Sequence, residues 1–209
     1  MTEARAALRR AWGEFVGPEA TRANHVLTAV TTVAGAVAAP TVARARGAGA
    51  GSAAIACLLA VDLAGGVYVN NTRACARWYE RRGQGNAAHY SFAALHVHPA
   101  VVARLDAGLP GGSATRRVQP AVWAASRRVH PAVWAASQYA YMVAATVAIR
   151  RAPARRRTLG VALTAGGLVL DGLLGPSRTA PWFAWTYYPK LLLGHAGASL
   201  WSDEELAPH

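Results

Sequence analysis

The sequence predicts an all-α polytopic membrane protein, a bundle of five to six transmembrane helices preceded by an interfacial amphipathic helix. Three observations support this fold class. Hydrophobic residues make up 53% of the 209 residues and charged residues only 15%, against roughly 25% charged residues in soluble proteins. The apolar residues gather in runs near the roughly 20 residues that one crossing requires. The arginines gather between these runs, as expected at a lipid surface.

The first segment, residues 1–22, is predicted to lie on the membrane rather than to cross it. Leu8, Trp12 and Phe15 recur at helical spacing within residues 4–16, and arginines occupy other positions around the same helix. A Gly-Pro pair directly after this helix is expected to end it.

Residues 23–200 are predicted to form a single transmembrane helical domain, and residues 201–209 an acidic C-terminal tail. The apolar runs of spanning length are 23–43, 48–69, 131–149, 158–174 and 181–200. The run 89–103 is apolar but short, so a tilted span, a re-entrant piece and a surface helix all remain open for it. The chain thus has five spans, or six if this run also crosses.

The charge pattern predicts a multi-pass protein of a bacterial inner (plasma) membrane, with the N-terminus in the cytoplasm. Of the 22 basic residues, all but Lys190 are arginine, which is typical of GC-rich bacterial genomes. A net charge of +12 would also suit nucleic acid, but the arginines punctuate apolar runs instead of lining one folded face. We therefore expect membrane lipid, and no nucleic acid, as the partner.

One stretch is duplicated in tandem. Val118-Gln-Pro-Ala-Val-Trp-Ala-Ala-Ser126 recurs as Val129-His-Pro-Ala-Val-Trp-Ala-Ala-Ser137, and Val97-His-Pro-Ala-Val101 repeats its beginning. Two full copies are too few for a solenoid, so we interpret them as a lengthened start of one helix. Since Gln119 matches His130 in the other copy, the duplication weakens the case for His130 as a ligand.

Two carboxylates lie inside otherwise apolar runs. Asp62 follows Ile55-Ala-Cys-Leu-Leu-Ala-Val61, and Asp171 follows Gly166-Gly-Leu-Val-Leu170. A carboxylate at membrane depth costs several kcal/mol unless it is paired, solvated or protonated, so it indicates a functional site. Both are predicted catalytic residues. The competing interpretation is a structural pair with an arginine.

Four histidines supply the other half of a predicted site. They are His89, His96, His98 and His195. The residue before a proline favours extended geometry, so a helix that ends near His96 would let His96 and His98 converge on one ion. Imidazole and carboxylate are the usual ligands of zinc and iron. The four histidines are therefore predicted metal ligands, although His89 and His98 also suit a purely interfacial position.

The pattern from Asp62 to Pro99 resembles a known group of sequences. It comprises Asp62-x-x-Gly-Gly66, Asn70-x-Thr72, Trp78-Tyr79 and His96-x-His-Pro99, with a later Leu-Leu-Leu-Gly-His that ends at His195. It is similar to a group of small uncharacterised bacterial, actinobacterial-like, polytopic integral membrane proteins. The resemblance implies a histidine after Trp78-Tyr79, where this chain has Glu80. It implies a membrane fold and no particular activity.

Three functions follow as hypotheses. The first is a metal-dependent hydrolase, in which zinc- or iron-bound water attacks an ester or amide in a membrane lipid and Asp171 acts as a base or further ligand. The second is a proton- or cation-coupled transporter in which Asp62 titrates. The third is a scaffold without catalysis, held together by pairs between aspartate and arginine.

Overall fold

The computed structural model describes residues 3–109 and 129–207, and its regular structure there is entirely helical, without strands. The predicted all-α fold is confirmed at this level. The α-helices are α1 (Glu3–Val16), α2 (Arg22–Ala45), α3 (Ala50–Val69), α4 (Arg73–Tyr79), α5 (Asn86–Leu95), α6 (His98–Ala107), α7 (Pro131–Arg151), α8 (Arg156–Leu174), α9 (Phe183–Tyr188) and α10 (Asp203–Leu206). A 3₁₀ turn, Pro153–Arg155, precedes α8, and a π-helix, Pro189–Ala196, continues α9.

Within the described residues, four helical segments are long and apolar enough to cross a membrane: α2, α3, α7, and α8 together with its 3₁₀ turn. The predicted count of five to six spans is therefore too high. The run 181–200 is helical only over α9 and the π-helix, which ends at Ala196. The run 89–103 is divided into α5 and α6.

Proline explains the division between α5 and α6. Pro99 has no N–H to donate, and its ring would clash with the carbonyl of Leu95, four residues earlier, in a continuous helix. The chain leaves helical geometry at His96, with φ −82° and ψ 60°, and α6 begins with Pro99 in its first turn. The repeated Val-His-Pro sequence begins α7 in the same way, with Pro131 in its first turn.

The earlier copy of the duplication, Val118–Ser126, lies outside the described residues. The later copy is described. There the side chain of His130 caps α7, because its Nδ1 accepts a hydrogen bond of 3.2 Å from the backbone N–H of Ala132. This capping bond gives His130 a structural role.

Large apolar side chains project from the outer face of α2. They include Val26, Leu27, Val30, Val33 and Val37, all of them exposed. In water such a continuous apolar face would be costly, whereas lipid tails solvate it. The helices could therefore stand in a membrane with this face outward.

Small residues hold α2 and α3 together. A Cβ on Gly35 would lie 2.6 Å from the Cβ of Ala64, so this crossing requires glycine. At the start of α2, Asn24 donates a hydrogen bond of 3.1 Å to the hydroxyl of Tyr68. The two helices form a closely packed hairpin that fixes the position of Asp62 on α3.

The amphipathic helix predicted over residues 4–16 is present as α1. Its last residue, Val16, is buried against Val69 and Cys75, at the junction of α3 and α4. The chain then turns at Gly17, whose φ of 86° favours glycine. α1 is thus attached to the bundle at its C-terminal end.

The π-helix Pro189–Ala196 lies within the bundle, where it contacts α3, α7 and α8. π-helical turns are rare in proteins, and those that do occur are often found at functional sites. A Cβ on Gly194 would come within 2.7 Å of the carbonyl oxygen of Asn70, so the π-helix approaches the end of α3 closely. It carries two buried basic side chains, Lys190 and His195.

Candidate metal centre

Asp62, His96 and His98 converge at one point in the bundle. A ligand atom from each residue lies within 4.8 Å of those of the other two. Nε2 of His98 is 3.2 Å from Oδ2 of Asp62, and the two imidazole centroids are 5.1 Å apart. Ligands at about 2.0–2.1 Å from a tetrahedral zinc ion stand roughly 3.3 Å from one another. The spacing between His98 and Asp62 therefore suits one shared ion.

The break between α5 and α6 produces this convergence. On a continuous helix, residues two apart would point in different directions. His96 closes α5 and His98 opens α6, so both rings can turn towards Asp62 on α3. The sequence predicted this local geometry from the proline that follows His98.

Neighbouring groups fix the orientation of His96. Its Nδ1 donates a hydrogen bond of 2.6 Å to the carbonyl of Phe92, and its own carbonyl accepts one of 2.9 Å from the hydroxyl of Tyr187. With Nδ1 protonated, Nε2 carries the lone pair that a metal requires. His96 lies outside the four candidate spans. Burial lowers its pKa to about 4, so the ring is neutral near pH 7.

Lys190 completes the cluster, and the sequence analysis did not select it. Its side chain is 2% exposed, and its Nζ lies 2.5 Å from Oδ2 of Asp62. The signal was available, because Lys190 is the single lysine in the chain and lies in an apolar run. The second glycine of the pair after Asp62 is explained by the same side chain: a Cβ on Gly66 would lie 2.5 Å from Cδ and Cε of Lys190.

The Asp62 side of the cluster opens onto an apolar surface. The side chain of Asp62 is 40% exposed. Leu58, one helical turn earlier on the same face of α3, is 70% exposed. Leu95 and Val97, on either side of His96, are 77% and 52% exposed. A polar site in α3 therefore faces outward between apolar side chains.

His89 and His195 do not belong to this group. They lie beside each other with ring centroids 4.7 Å apart, and Nε2 of His89 is 3.9 Å from Oε1 of Glu80. Phe92 stacks on His195 at 3.8 Å and contacts the His96 ring at 4.3 Å, so it lies between the two histidine pairs. Burial lowers the pKa of His89 to about 4 and that of His195 well below its usual value.

Asp171 lies in a different environment. It is buried on α8 and accepts hydrogen bonds from Nε1 of Trp134, at 3.2 Å, and from Nε2 of Gln138, at 3.0 Å. The hydroxyl of Tyr188 donates to the side-chain oxygen of Gln138. Neither an arginine, as the scaffold hypothesis supposed, nor a histidine forms these bonds. The arrangement resembles a structural polar network between α7, α8 and α9.

Two further acidic residues have roles that their sequence context did not indicate. Asp106, in a stretch that reads as polar, is buried and accepts hydrogen bonds from the Ser177 hydroxyl and from the backbone N–H groups of Arg178 and Thr179. Glu80 pairs with Arg150 at 2.6 Å and with Arg156 at 3.1 Å. Both carboxylates connect segments far apart in the chain, which sequence spacing does not reveal.

Searches against protein-family models, curated proteins and solved structures find no match to this chain. The resemblance to small bacterial membrane proteins therefore stays a prediction. Any function must be inferred from the geometry of the site.

Proposed function

We propose that this chain is an integral membrane, metal-dependent hydrolase with its metal ion on Asp62, His96 and His98. One observation carries the proposal: two imidazoles and one carboxylate, from three helical segments, bring their ligand atoms within 4.8 Å of one another. Such a ligand set is typical of catalytic zinc sites, which leave a fourth position for water. It also suits iron in the two-histidine, one-carboxylate arrangement.

The metal would supply a bound water that ionises near neutral pH. Asp62, His96 and His98 would hold the ion, and the hydrogen bond from Nδ1 of His96 to Phe92 leaves Nε2 available to bind it. The ammonium group of Lys190 lies 2.5 Å from Oδ2 of Asp62, so it would compete with the ion for this carboxylate. The proposal assigns no chemical role to Asp171, because its carboxylate is committed to Trp134 and Gln138.

The surroundings of the site support a lipid substrate. A water-soluble substrate would have to approach Asp62 past the exposed side chains of Leu58 and Leu95. A lipid could rest its acyl chains on these residues and present its ester or amide to the metal. Water at this position would lose a proton and add to the acyl carbon as hydroxide. The bond to the leaving oxygen or nitrogen would break, and the proton released by the water would end on the leaving group.

Reconstitution tests the reaction. Purified zinc-loaded protein in liposomes of phosphatidylethanolamine and phosphatidylglycerol should release fatty acid or a free headgroup, detected by mass spectrometry. His96→Ala and His98→Ala should each lower the rate at least 100-fold, since each removes a direct ligand. The matched control is His25→Ala, because His25 accepts a hydrogen bond of 3.0 Å from Trp12 and is not one of the three converging residues. Stoichiometric zinc without any product would contradict hydrolysis of these lipids.

A scaffold role is the second candidate, and a specific contact favours it. The pair between Lys190 and Asp62 joins the π-helix to α3, as a structural ion pair would. If that is its only role, the exchange of both charges, Asp62→Lys with Lys190→Asp, should restore folding lost in Asp62→Lys alone. The hydrolase proposal expects the exchanged protein to remain unable to bind zinc at this site, even if it folds.

A further inference from the structure

An apolar groove runs between α6 and α7. It has a volume of about 540 Å³, within the roughly 300–1,000 Å³ of ligand pockets. Its α6 wall begins at Val97 and continues with a face of small residues, Ala100, Ala103 and Ala107. Ala103 and, on α7, Ala135 are buried and form its floor. Side chains this small leave room between the two helices for an apolar ligand.

The two helices run antiparallel along the groove. The hydroxyl of Tyr139, on α7, donates a hydrogen bond of 2.8 Å to the carbonyl of Ala94, near the end of α5, so Tyr139 lies where α6 begins. Arg104 and His130 line the other end of the groove, where α6 finishes and α7 starts. Since α7 is a candidate span, its first turn would lie at a membrane surface. The groove would then descend from that surface into the membrane.

The length of the groove matches one lipid chain. From Val97 to Ala107, both of which line the groove, α6 rises by roughly 15 Å at about 1.5 Å per residue. The hydrocarbon core of a bilayer is about 30 Å thick, so the chains of one leaflet extend for about 15 Å. A single acyl chain along α6 would therefore fill the groove from the membrane surface to Val97.

The surface end of the groove offers hydrogen-bond donors. The side chain of Arg104 is exposed, and among the described residues no carboxylate pairs with it. The ring of His130 accepts a hydrogen bond at Nδ1 from the N–H of Ala132, so in the neutral ring Nε2 carries the hydrogen and is a donor. A guanidinium and a ring N–H suit the oxygens of a phosphate, which are charged acceptors.

We infer that this groove binds one phospholipid, with an acyl chain between α6 and α7 and the lipid phosphate on Arg104 and His130. A neutral lipid would leave the guanidinium without an anion, and a soluble anion would leave the apolar walls uncovered. The inference is independent of the proposed hydrolysis, because none of Asp62, His96 and His98 lines the groove.

Native mass spectrometry tests the role of the phosphate. The full chain is purified in detergent and titrated with phosphatidylglycerol or with diacylglycerol that carries the same chains. We expect one phosphatidylglycerol to bind about tenfold more tightly than diacylglycerol, since hydrogen bonds to a charged group add to the apolar contact. Arg104→Gln should abolish this preference. The matched control Arg151→Gln, at an exposed arginine on the other end of α7, should keep it. Equal affinity of the native chain for both lipids would overturn phosphate recognition.

A larger side chain in the groove tests the place of the acyl chain. Ala136 lines the groove and is exposed, so Ala136→Phe fills the groove without entering the core and should weaken binding of both lipids about tenfold or more. Val133→Phe, at an exposed position of α7 outside the lining, is the matched control and should bind both lipids as the native chain does. Size-exclusion chromatography verifies folding. Native affinity in folded Ala136→Phe would overturn the groove as the lipid site and favour another occupant, such as a second copy of the chain.

Discussion

Asp62 and Asp171 occupy similar places in the sequence and very different places in the molecule. Both follow an apolar run on a helix that could cross a membrane. Asp62 is 40% exposed and faces two charged or chargeable partners, Lys190 and His98. Asp171 is buried, and two described residues that donate hydrogen bonds to it, Trp134 and Gln138, are neutral.

The difference shows that a carboxylate at membrane depth does not by itself reveal whether its role is chemical or structural. Its cost at membrane depth requires a partner, and the kind of partner separates chemistry from structure. Neutral donors that are fully engaged, as around Asp171, satisfy the carboxylate and hold helices together. Imidazoles with a free lone pair and an open side, as around Asp62, leave room for a ligand.

Loss of the Asp171 carboxylate should have the largest effect on stability. Asp171→Ala breaks both bonds that connect α8 to Trp134 and Gln138 on α7. Hydrogen bonds to a charged group contribute about 1.5–3 kcal/mol each, so we expect a loss of about 3–6 kcal/mol in the free energy of unfolding. Denaturant titration in detergent measures it, with Asp171→Asn, which keeps one acceptor oxygen, as the milder control. Equal stability of Asp171→Ala and native protein would show that the network is not structural.

Low pH should destabilise the protein through its buried histidines. Burial holds the pKa of His89 and of His96 at about 4, below the usual 6.5 of the unfolded chain. As the pH falls from about 6.5 to 4, the unfolded state binds protons that the folded state does not, so stability declines over this window. We expect a loss of about 3 kcal/mol for each of these histidines in metal-free protein, because one pKa unit corresponds to about 1.4 kcal/mol. Melting curves at several pH values test this, and His89→Phe should flatten the dependence.

Removal of the ammonium group beside Asp62 should strengthen metal binding. The Nζ of Lys190 lies on the same carboxylate oxygen that faces His98, so it competes with a cation for Asp62. Lys190→Met should tighten zinc binding roughly tenfold, which corresponds to about 1.4 kcal/mol. Competition with a fluorescent chelator measures the affinity. Weaker zinc binding in Lys190→Met would show instead that the lysine supports the site.

Substitution of two glycines by alanine should have the smallest effects on zinc affinity and stability. A Cβ on Gly66 would displace Lys190, whereas one on Gly167 would lie 2.7 Å from the ring of Tyr188, near the Asp171 network. Gly66→Ala should change zinc affinity by less than Lys190→Met does. Gly167→Ala should cost about 1–3 kcal/mol of stability and leave zinc affinity unchanged. Gly172→Ala, with nothing within 4 Å, is the matched control.

Much of the fold follows from local sequence. Apolar runs of spanning length predict α2, α3, α7 and α8, and the proline after His98 predicts the break that brings His96 and His98 together. The predicted span over 181–200 failed because hydropathy does not reveal where a helix changes to a π-helix and ends.

The site was only partly predictable from the sequence, because tertiary packing decides which of its residues meet. His89 and His96 are seven residues apart, a spacing that suggests one face of a helix, yet Phe92 separates them into two clusters. The partners of Asp62 and Asp171 come from helices distant in sequence, so only tertiary packing decides which carboxylate meets Lys190. No spacing rule predicts that choice.

The most direct test of a metal ion on Asp62 compares zinc affinity after removal of each carboxylate. Asp62→Ala is made together with Lys190→Met, so that no unpaired ammonium group remains buried, and Asp171→Ala is the matched variant. Since loss of a group that only supports a ligand weakens binding 10–100-fold, loss of a direct ligand should weaken it by about 100-fold or more. We expect that loss for the Asp62 variant relative to Lys190→Met alone, and native affinity for Asp171→Ala. An Asp62 variant that binds zinc as tightly as Lys190→Met, or an equal loss in both variants, would contradict a metal centre on Asp62, His96 and His98.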